Sequence, residues 1–471
     1  MKMFVAGQWI DKPKKIEVTN PFDGSIVDTV PQADADDVDR ALACAVEGAR
    51  LMRAMPGYER SKLLGKAARL MHDRRSDLAR TLSLEEGKII REATLEVARA
   101  AETIELSADE AKRLGGEVLP LDGASNGAGK LGFTLRVPCG VVVAITPFNF
   151  PLNLPCHKIG PALAAGNAVI FKPASDTPLV GLMLVEILLE AGFPPQAISC
   201  LTGGGAALGD KLCTDSRVRK ISFTGSRDVG EKILKTAGLK RVTMELGSNC
   251  PVIVMDDADL NKAAEAIVAT GYANAGQVCI STQRVLAVPP VYGDLLDALK
   301  PKVEALHVGN PIEKKTNLGP MIRESDAKRV SGWIDEAISG GAKLVAGGKR
   351  NGQKHEATLL ADVRPEMRIS CEELFGPAVA VTRCGDIDEA IRLANDTNYG
   401  LAAAIFTRDL ARAMKFCREV DSGNLHVNWG PQWRADLMPY GGLKESGLGK
   451  EGPKYVIEEM TEKKTVVLHG V

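Results

Sequence analysis

Between Gly132 and Met255 the chain alternates short apolar runs with helical stretches, at intervals that a layered α/β fold accommodates and few others do. Val141-Val142-Val143-Ala144-Ile145 and Ala168-Val169-Ile170-Phe171 are continuous apolar runs. Such runs suit parallel strands buried on both faces. Asp176 or Thr177 stands where it could cap a helix whose first turn holds Pro178. Leu184, Ile187 and Leu188 give that helix an apolar side, and Gly192 follows its end. Further strands are expected near 198–201 and at 220–224, 242–246 and 252–255, with helices near 206–213 and from about Ser226. This rhythm predicts a doubly wound, Rossmann-like sheet.

The flanking segments read differently. The first thirty residues form a strand, a turn at Asn20-Pro21-Phe22-Asp23-Gly24 and a second strand. From about Asp34 to Gly115, apolar residues recur at spacings of three and four, as in helices. A second α/β stretch runs from about Leu260 to Asn428, with helices at 261–271, 324–339 and 387–394. The closing run, Lys463-Lys464-Thr465-Val466-Val467-Leu468-His469, reads as a terminal strand. An edge strand needs a neighbour, either the segment near 131–137 or a strand of another subunit.

Composition narrows the function classes. At 471 residues the chain has room for two or three domains, and 45% hydrophobic with 25% charged residues is ordinary for a globular protein. With 59 basic and 60 acidic residues the net charge is −1, so there is no basic footprint for nucleic acid and no polybasic membrane patch. No apolar run approaches the roughly 20 residues that span a bilayer. The opening MKMFVAGQWIDKPKK lacks the long apolar core of a secretion signal. A cytoplasmic location is expected, with the ten scattered cysteines mostly reduced. No metal site is expected.

Four local patterns carry possible chemistry. Phe223-Thr224-Gly225-Ser226 follows an expected strand and opens an expected helix, where backbone N–H groups attract phosphate. It is not the G-x-G-x-x-G fingerprint, and an ordinary glycine turn explains it equally in isolation. Gly276-Gln277-Val278-Cys279 places small residues before a cysteine, which suits a nucleophile as well as a structural thiol. Glu245 ends a strand among apolar and small residues, where burial would raise its pKa toward that of a general base. A surface or capping glutamate is the alternative. Asn149, in Thr146-Pro147-Phe148-Asn149-Phe150-Pro151, is either an oxyanion donor or a turn residue.

Taken together and in order, these motifs resemble the aldehyde dehydrogenase superfamily over nearly the whole chain. The resemblance rests on Asn20-Pro21, Pro147-Phe148-Asn149-Phe150-Pro151, Lys172-Pro173-Ala174, Phe223-Thr224-Gly225-Ser226 and Glu245-Leu246-Gly247. It continues through Gly276-Gln277-x-Cys279, Glu372-Glu373-Leu374-Phe375-Gly376-Pro377, Met438-Pro439-Tyr440-Gly441-Gly442 and Lys444-x-Ser446-Gly447. It implies a Rossmann-like cofactor domain from 1–116 and 138–246, an α/β catalytic domain over 247–428, and a small β oligomerisation arm from 117–137 and 429–471. It implies oxidation of an aldehyde to a carboxylic acid with NAD or NADP, through a hemithioacetal and a thioester on Cys279. Asn149, with the Cys279 backbone N–H, would hold the oxyanion, and Glu245 would activate the water that releases the acid. A glutamate at that position distinguishes the hydrolytic branch from relatives that pass the acyl group to coenzyme A. Thr146, Pro147, Phe148, Gly225 and Ser226 would line the cofactor cleft, with Ser226 at the pyrophosphate. Lys172 and Glu373 would hold the riboses, and Phe375 would flank the nicotinamide ribose. A homodimer or homotetramer is implied as well.

Two departures from the common pattern bear on specificity. Ser175 stands where many NAD-preferring relatives carry a glutamate, so no carboxylate repels a 2′-phosphate, a hydroxyl donor is left in its place, and NADP should be tolerated. His157 and Arg434 occupy positions that are often aromatic in relatives acting on neutral aldehydes, Arg99 falls near a usually apolar position, and Asn153 adds a polar group. A buried arginine wants an anion, and its fork matches carboxylate, sulfonate or phosphate. A short aldehyde with an anionic tail is therefore expected. The alternative is internal pairing, Arg434 with Asp436 or Arg99 with a neighbouring glutamate, in an enzyme for neutral aldehydes.

Overall fold

The computed structural model describes residues 1–470. An eight-stranded sheet runs in the order Gln8–Ile10, Met3–Val5, Ile198–Cys200, Ala168–Lys172, Val141–Ile145, Val218–Thr224, Arg241–Glu245, Gly447–Leu448. Its five inner strands, from Ile198–Cys200 to Arg241–Glu245, are parallel. Alternate residues enter different cores, as the period of two requires. Val142, Ala144, Val169 and Phe171 face one apolar cluster, while Val141, Val143 and Ile170 face the other. Helices cover both faces, which is why these strands lack polar alternation. The order reverses between Val141–Ile145 and Val218–Thr224. Ligands of open α/β sheets bind where two neighbouring strands lead their connections to opposite faces. Here that point lies beyond Ile145 and Thr224.

A second sheet has seven strands, ordered Lys343–Ala346, Thr358–Ala361, Ala378–Arg383, Arg284–Ala287, Pro251–Val254, Ala402–Phe406, Asn424–Val427. All its pairs are parallel except the edge pair with Lys343–Ala346. The terminal strand Thr461–His469 pairs antiparallel with Lys130–Pro138 of the same chain, from Thr461 opposite Pro138 to His469 opposite Lys130. No helix among the described residues is long and apolar enough to cross a membrane.

The helical region divides into Ala35–Ala54, Gly57–Asp73, Arg75–Glu86 and Ile90–Ala111. Asp34 and Asp37 form a capping box at the first of these. The helix Leu179–Ala191 corrects one sequence expectation. Neither Asp176 nor Thr177 caps it; Pro178 precedes it without a side-chain bond. Glu85, 94 residues earlier, accepts instead from the Leu179 N–H at 2.7 Å and, across 95 residues, from the Val180 N–H at 2.9 Å. Asp176 is turned to an ion pair with Arg323. Local spacing cannot register a cap that arrives from another helix.

Candidate active site

The strand Val141–Ile145 leads into Thr146-Pro147-Phe148-Asn149, and Val218–Thr224 leads into Gly225-Ser226. Both turns therefore lie at the reversal of strand order. A Cβ on Gly225 would come within 2.5 Å of the Phe223 ring, so only glycine fits there. Ser226 makes no side-chain cap to the helix Arg227–Ala237, which leaves its first N–H groups available to an anion. Thr146 Oγ1 and Thr224 Oγ1 are buried without a partner. Lys172 is buried, and its ammonium donates to the Pro173 carbonyl at 3.1 Å. It pairs with no carboxylate among the described residues, and burial lowers its pKa. Such a donor set suits ribose hydroxyls and phosphates.

Ser175 qualifies the sequence argument. Its hydroxyl donates to the Gly203 carbonyl at 2.9 Å, so its proton is already engaged. What favours a 2′-phosphate is the missing negative charge, not a waiting donor. Glu373 accepts from the Ser248 N–H at 2.9 Å, and burial pushes its pKa up to about 7. Phe375 follows with φ +50°, and its ring meets Phe148 edge-on at 5.9 Å. That backbone conformation costs a non-glycine residue on the order of 1–2 kcal/mol, so packing must hold it.

The cysteine loop follows the helix Leu260–Gly271. Asn274, Ala275 and Gly276 all adopt left-handed backbone angles, at φ +50°, +54° and +69°. A Cβ on Gly276 would lie 2.1 Å from the Gly376 carbonyl oxygen, so this position must be glycine. Asn274 holds the turn by donating to Glu86 at 2.7 Å through its amide and to Glu92 at 3.1 Å through its backbone. Gln277 donates to the Asn274 carbonyl at 3.1 Å and accepts from the Ile322 N–H at 3.0 Å. The Gln277 carbonyl in turn accepts from Asn149 Nδ2 at 2.8 Å, so the Asn149 amide reaches the loop that carries Cys279. Asn149 Oδ1 has no partner. Below it, Lys88 Nζ donates to the Asn149 carbonyl and to Glu96, both at 2.6 Å.

Cys279 and Glu245 line one cavity of about 370 Å³, with Phe150, Thr224, Tyr440, Arg434 and Glu451. Burial pushes the Cys279 thiol up to about 12, while a hydrogen bond with the Tyr440 hydroxyl at 3.2 Å opposes that shift. Glu245 is buried, and neither carboxylate oxygen has a partner. Burial, and then the nearby Glu451 carboxylate, hold its pKa well above the usual range. A raised pKa makes the ionised form of this carboxyl a stronger base, able to take a proton from water.

The cationic residues are paired within the chain. Asp436, itself buried, accepts from Arg99 Nε at 3.0 Å and Nη2 at 2.8 Å, from His157 Nε2 at 2.8 Å, and from Asn153 at 3.4 Å. Arg434 donates to Glu451 at 2.9 Å, and Lys158 donates to the other oxygen at 3.2 Å. Arg434 Nη2 also lies 3.1 Å from His157 Nε2 and 3.3 Å from Nδ1, so the guanidinium packs against the imidazole ring. Burial and Arg434 lower the His157 pKa. Arg99, Asn153 and Arg434 line the cavity; His157, expected there too, does not. His157 is wholly buried and braces Arg434 and Asp436 instead of meeting a ligand. Arg91, at the cavity wall, is a further cation that the sequence reading missed. It also missed Glu451, Lys158 and the hydroxyl of Tyr440. Polar residues beside a known motif were the only available signal for the last.

The chain matches the model of the aldehyde dehydrogenase family over residues 9–466. It is 47% identical to the 3-sulfolactaldehyde dehydrogenase of Priestia aryabhattai over 99% of this chain and 98% of that one. The crystal structure of aldehyde dehydrogenase 21 from Physcomitrella patens, in complex with the reaction product succinate, superposes with a TM-score of 0.97 at 39% identity, covering 100% of this chain and 98% of that one. The glyceraldehyde-3-phosphate dehydrogenase GapN of Methanocaldococcus jannaschii DSM 2661, complexed with NADP, superposes with a TM-score of 0.94 at 38% identity, covering 98% and 100%. Motif order, parallel-sheet topology and these likenesses agree: the chain belongs to the aldehyde dehydrogenase family.

Proposed function

We propose that this protein oxidises a small aldehyde with an anionic tail to its carboxylic acid, using NAD or NADP, through a thioester on Cys279. The observation that carries the proposal is the shared cavity of Cys279 and Glu245, in which the Glu245 oxygens have no internal partner. The Cys279 sulfur, once ionised, adds to the aldehyde carbon. The Asn149 amide sits on the Cys279 loop, where it can hold the oxyanion that forms. Thr146, Pro147, Phe148, Lys172, Gly225, Ser226, Glu373 and Phe375 fit the cofactor, by the unpaired hydroxyls and ammonium beside an uncapped helix start. A nicotinamide held by these residues would supply the hydride acceptor that aldehyde oxidation requires. Glu245 then deprotonates the water that cleaves the thioester.

The anionic tail is supported by the cations on the cavity wall. Arg99 spends Nε and Nη2 on Asp436, and Arg434 keeps a buried Nε without a hydrogen bond. Sulfolactaldehyde, succinate and glyceraldehyde 3-phosphate, named with the relatives, all carry an anionic group. The second reading, a neutral substrate, is favoured by the internal pairing of Arg434 and His157. An aldehyde panel assayed with both cofactors decides. Sulfonate, phosphate or carboxylate tails are expected to raise kcat/KM about tenfold or more over neutral aldehydes of similar length. Arg99→Ala and Arg434→Ala should raise KM for the anionic aldehydes only. Equal changes for both classes would reject the anionic reading, and strict refusal of NADP would reject the Ser175 argument.

A cytoplasmic homo-oligomer fits the same reading. The paired strands Lys130–Pro138 and Thr461–His469 expose Leu131, Leu135, Val467 and Leu468 along one small sheet. Exposed apolar edges of this kind call for cover. Sedimentation velocity is expected to give a dimer or tetramer; a monomer at micromolar concentration would refute it.

A further inference from the structure

We infer that Tyr440 is a catalytic residue, whose hydroxyl donates to the Cys279 thiolate and is strengthened as a donor by the Arg434 guanidinium on its ring. The inference rests on the reading of Cys279 as the nucleophile. Three observations carry it. The Tyr440 hydroxyl lies 3.2 Å from the Cys279 sulfur, within hydrogen-bonding range for sulfur. The Tyr440 side chain is buried on the wall of the cavity that Cys279 lines, so its ring is held in place beside the sulfur. The guanidinium carbon of Arg434 sits 3.9 Å from the ring centroid, the placement of a cation–π contact.

In the thiol form either group can donate to the other. Once the sulfur has lost its proton, only the tyrosine can donate, so ionisation itself creates a charge-assisted bond. A cation over the ring draws density from it, which makes the phenolic O–H the better donor. Arg434 is held over the ring by Glu451 and by His157, so the contact does not depend on substrate. The other titratable groups near the sulfur are Cys250, Glu245 and Glu373, and all disfavour its charge. Tyr440 thus offsets part of what Cys250, Glu373 and Glu245 oppose. When the sulfur attacks, the negative charge moves to the aldehyde oxygen and the bond to tyrosine weakens. No proton is transferred from Tyr440 at any step.

The experiment is alkylation of Cys279 by iodoacetamide across pH in the full-length enzyme, read peptide by peptide because Cys371 and Cys417 are exposed. Tyr440→Phe keeps the ring and the Arg434 contact. Its Cys279 alkylation at neutral pH is expected to fall about tenfold, with the midpoint moved to higher pH and kcat lowered at unchanged aldehyde KM. Tyr440→Leu removes hydroxyl and ring together and must move the midpoint at least as far. Arg434→Lys, which replaces the flat guanidinium, should move it in the same direction by less. A phenylalanine or leucine variant that titrates like the parent overturns the inference. Cys279→Ser separates the underlying reading: retained oxidation there would refute the nucleophile, whereas abolished oxidation with an unmoved Tyr440→Phe profile refutes Tyr440 alone.

Discussion

Glu245→Gln is expected to release about one reduced cofactor per subunit in a rapid first turnover and then to stall. The amide matches the carboxylate in shape, and the buried carboxylate makes no internal hydrogen bond to lose, so folding should survive. In the proposed mechanism formation of the thioester does not need this group, whereas its hydrolysis does. Loss of a positioned base costs about 10²–10⁴-fold, which should fall on the steady-state rate alone. Stopped-flow absorbance of the reduced nicotinamide and the mass of the acylated Cys279 peptide check both halves. The pH profile gives a further arm. Hydrolysis requires the ionised carboxylate, so its rate rises with pH through the raised pKa of Glu245. Glu451 is the nearby anion that helps to raise it. Glu451→Gln removes that repulsion and frees Lys158 and Arg434 to favour the charge, so the rising limb should move to lower pH. A Glu245→Gln enzyme with undiminished turnover, or a limb that moves upward in Glu451→Gln, would contradict the assignment of the base.

Asp436→Ala should destabilise the protein by about 3–5 kcal/mol, because it strips the anion from a buried cluster and leaves its partners unpaired. Asp436 is 2% exposed and ties the helices Ile90–Ala111 and Asn153–Ala164 to the 429–440 loop, through Arg99, Asn153 and His157. Burial opposes its ionisation, but the hydrogen bond from His157 and the charge of Arg99 hold its pKa well below the usual carboxylate range. Glu451, also buried, is held at about 2 by Lys158 and Arg434 despite burial. Groups with depressed folded pKa values stabilise fully above their unfolded values, near 4, and lose that contribution as pH falls through the folded ones. The parent should therefore lose stability between about pH 4 and pH 2, and Asp436→Ala should show a shallower loss there. Thermal unfolding followed by circular dichroism across that window tests it. An unchanged midpoint at pH 7 would show that the cluster contributes nothing net.

The two predictions draw on different kinds of information. Glu245, Asn149 and Cys279 were each ambiguous in isolation and became legible through the order of the motifs that carry them and the family those motifs resemble. The left-handed turn at 274–276 and the switch point after Ile145 came only with the structure, because backbone angles and strand order are not written in residue spacing. Arg99, His157 and Arg434 were legible as unusual, and internal pairing as an alternative, but not the partners they take: Arg99 meets Asp436 and Arg434 donates to Glu451. Asp436 lies 337 residues from Arg99 and 279 from His157, and Glu451 lies 293 from Lys158. Glu85 reaches the helix Leu179–Ala191 across a shorter gap of 94 residues, still beyond any local spacing.

From the amino-acid order came the alternation of strands and helices that makes a layered α/β architecture, and the motif order whose family resemblance pointed to Cys279, Glu245 and Asn149. The alternation is a local property, because strand and helix periods are written in a few neighbouring residues. Which carboxylate answers which cation, which side chain meets the cavity, and that Tyr440 touches the sulfur, were decided only when the chain closed. Such contacts are set by distances of a few ångströms between segments hundreds of residues apart, and no local spacing encodes them.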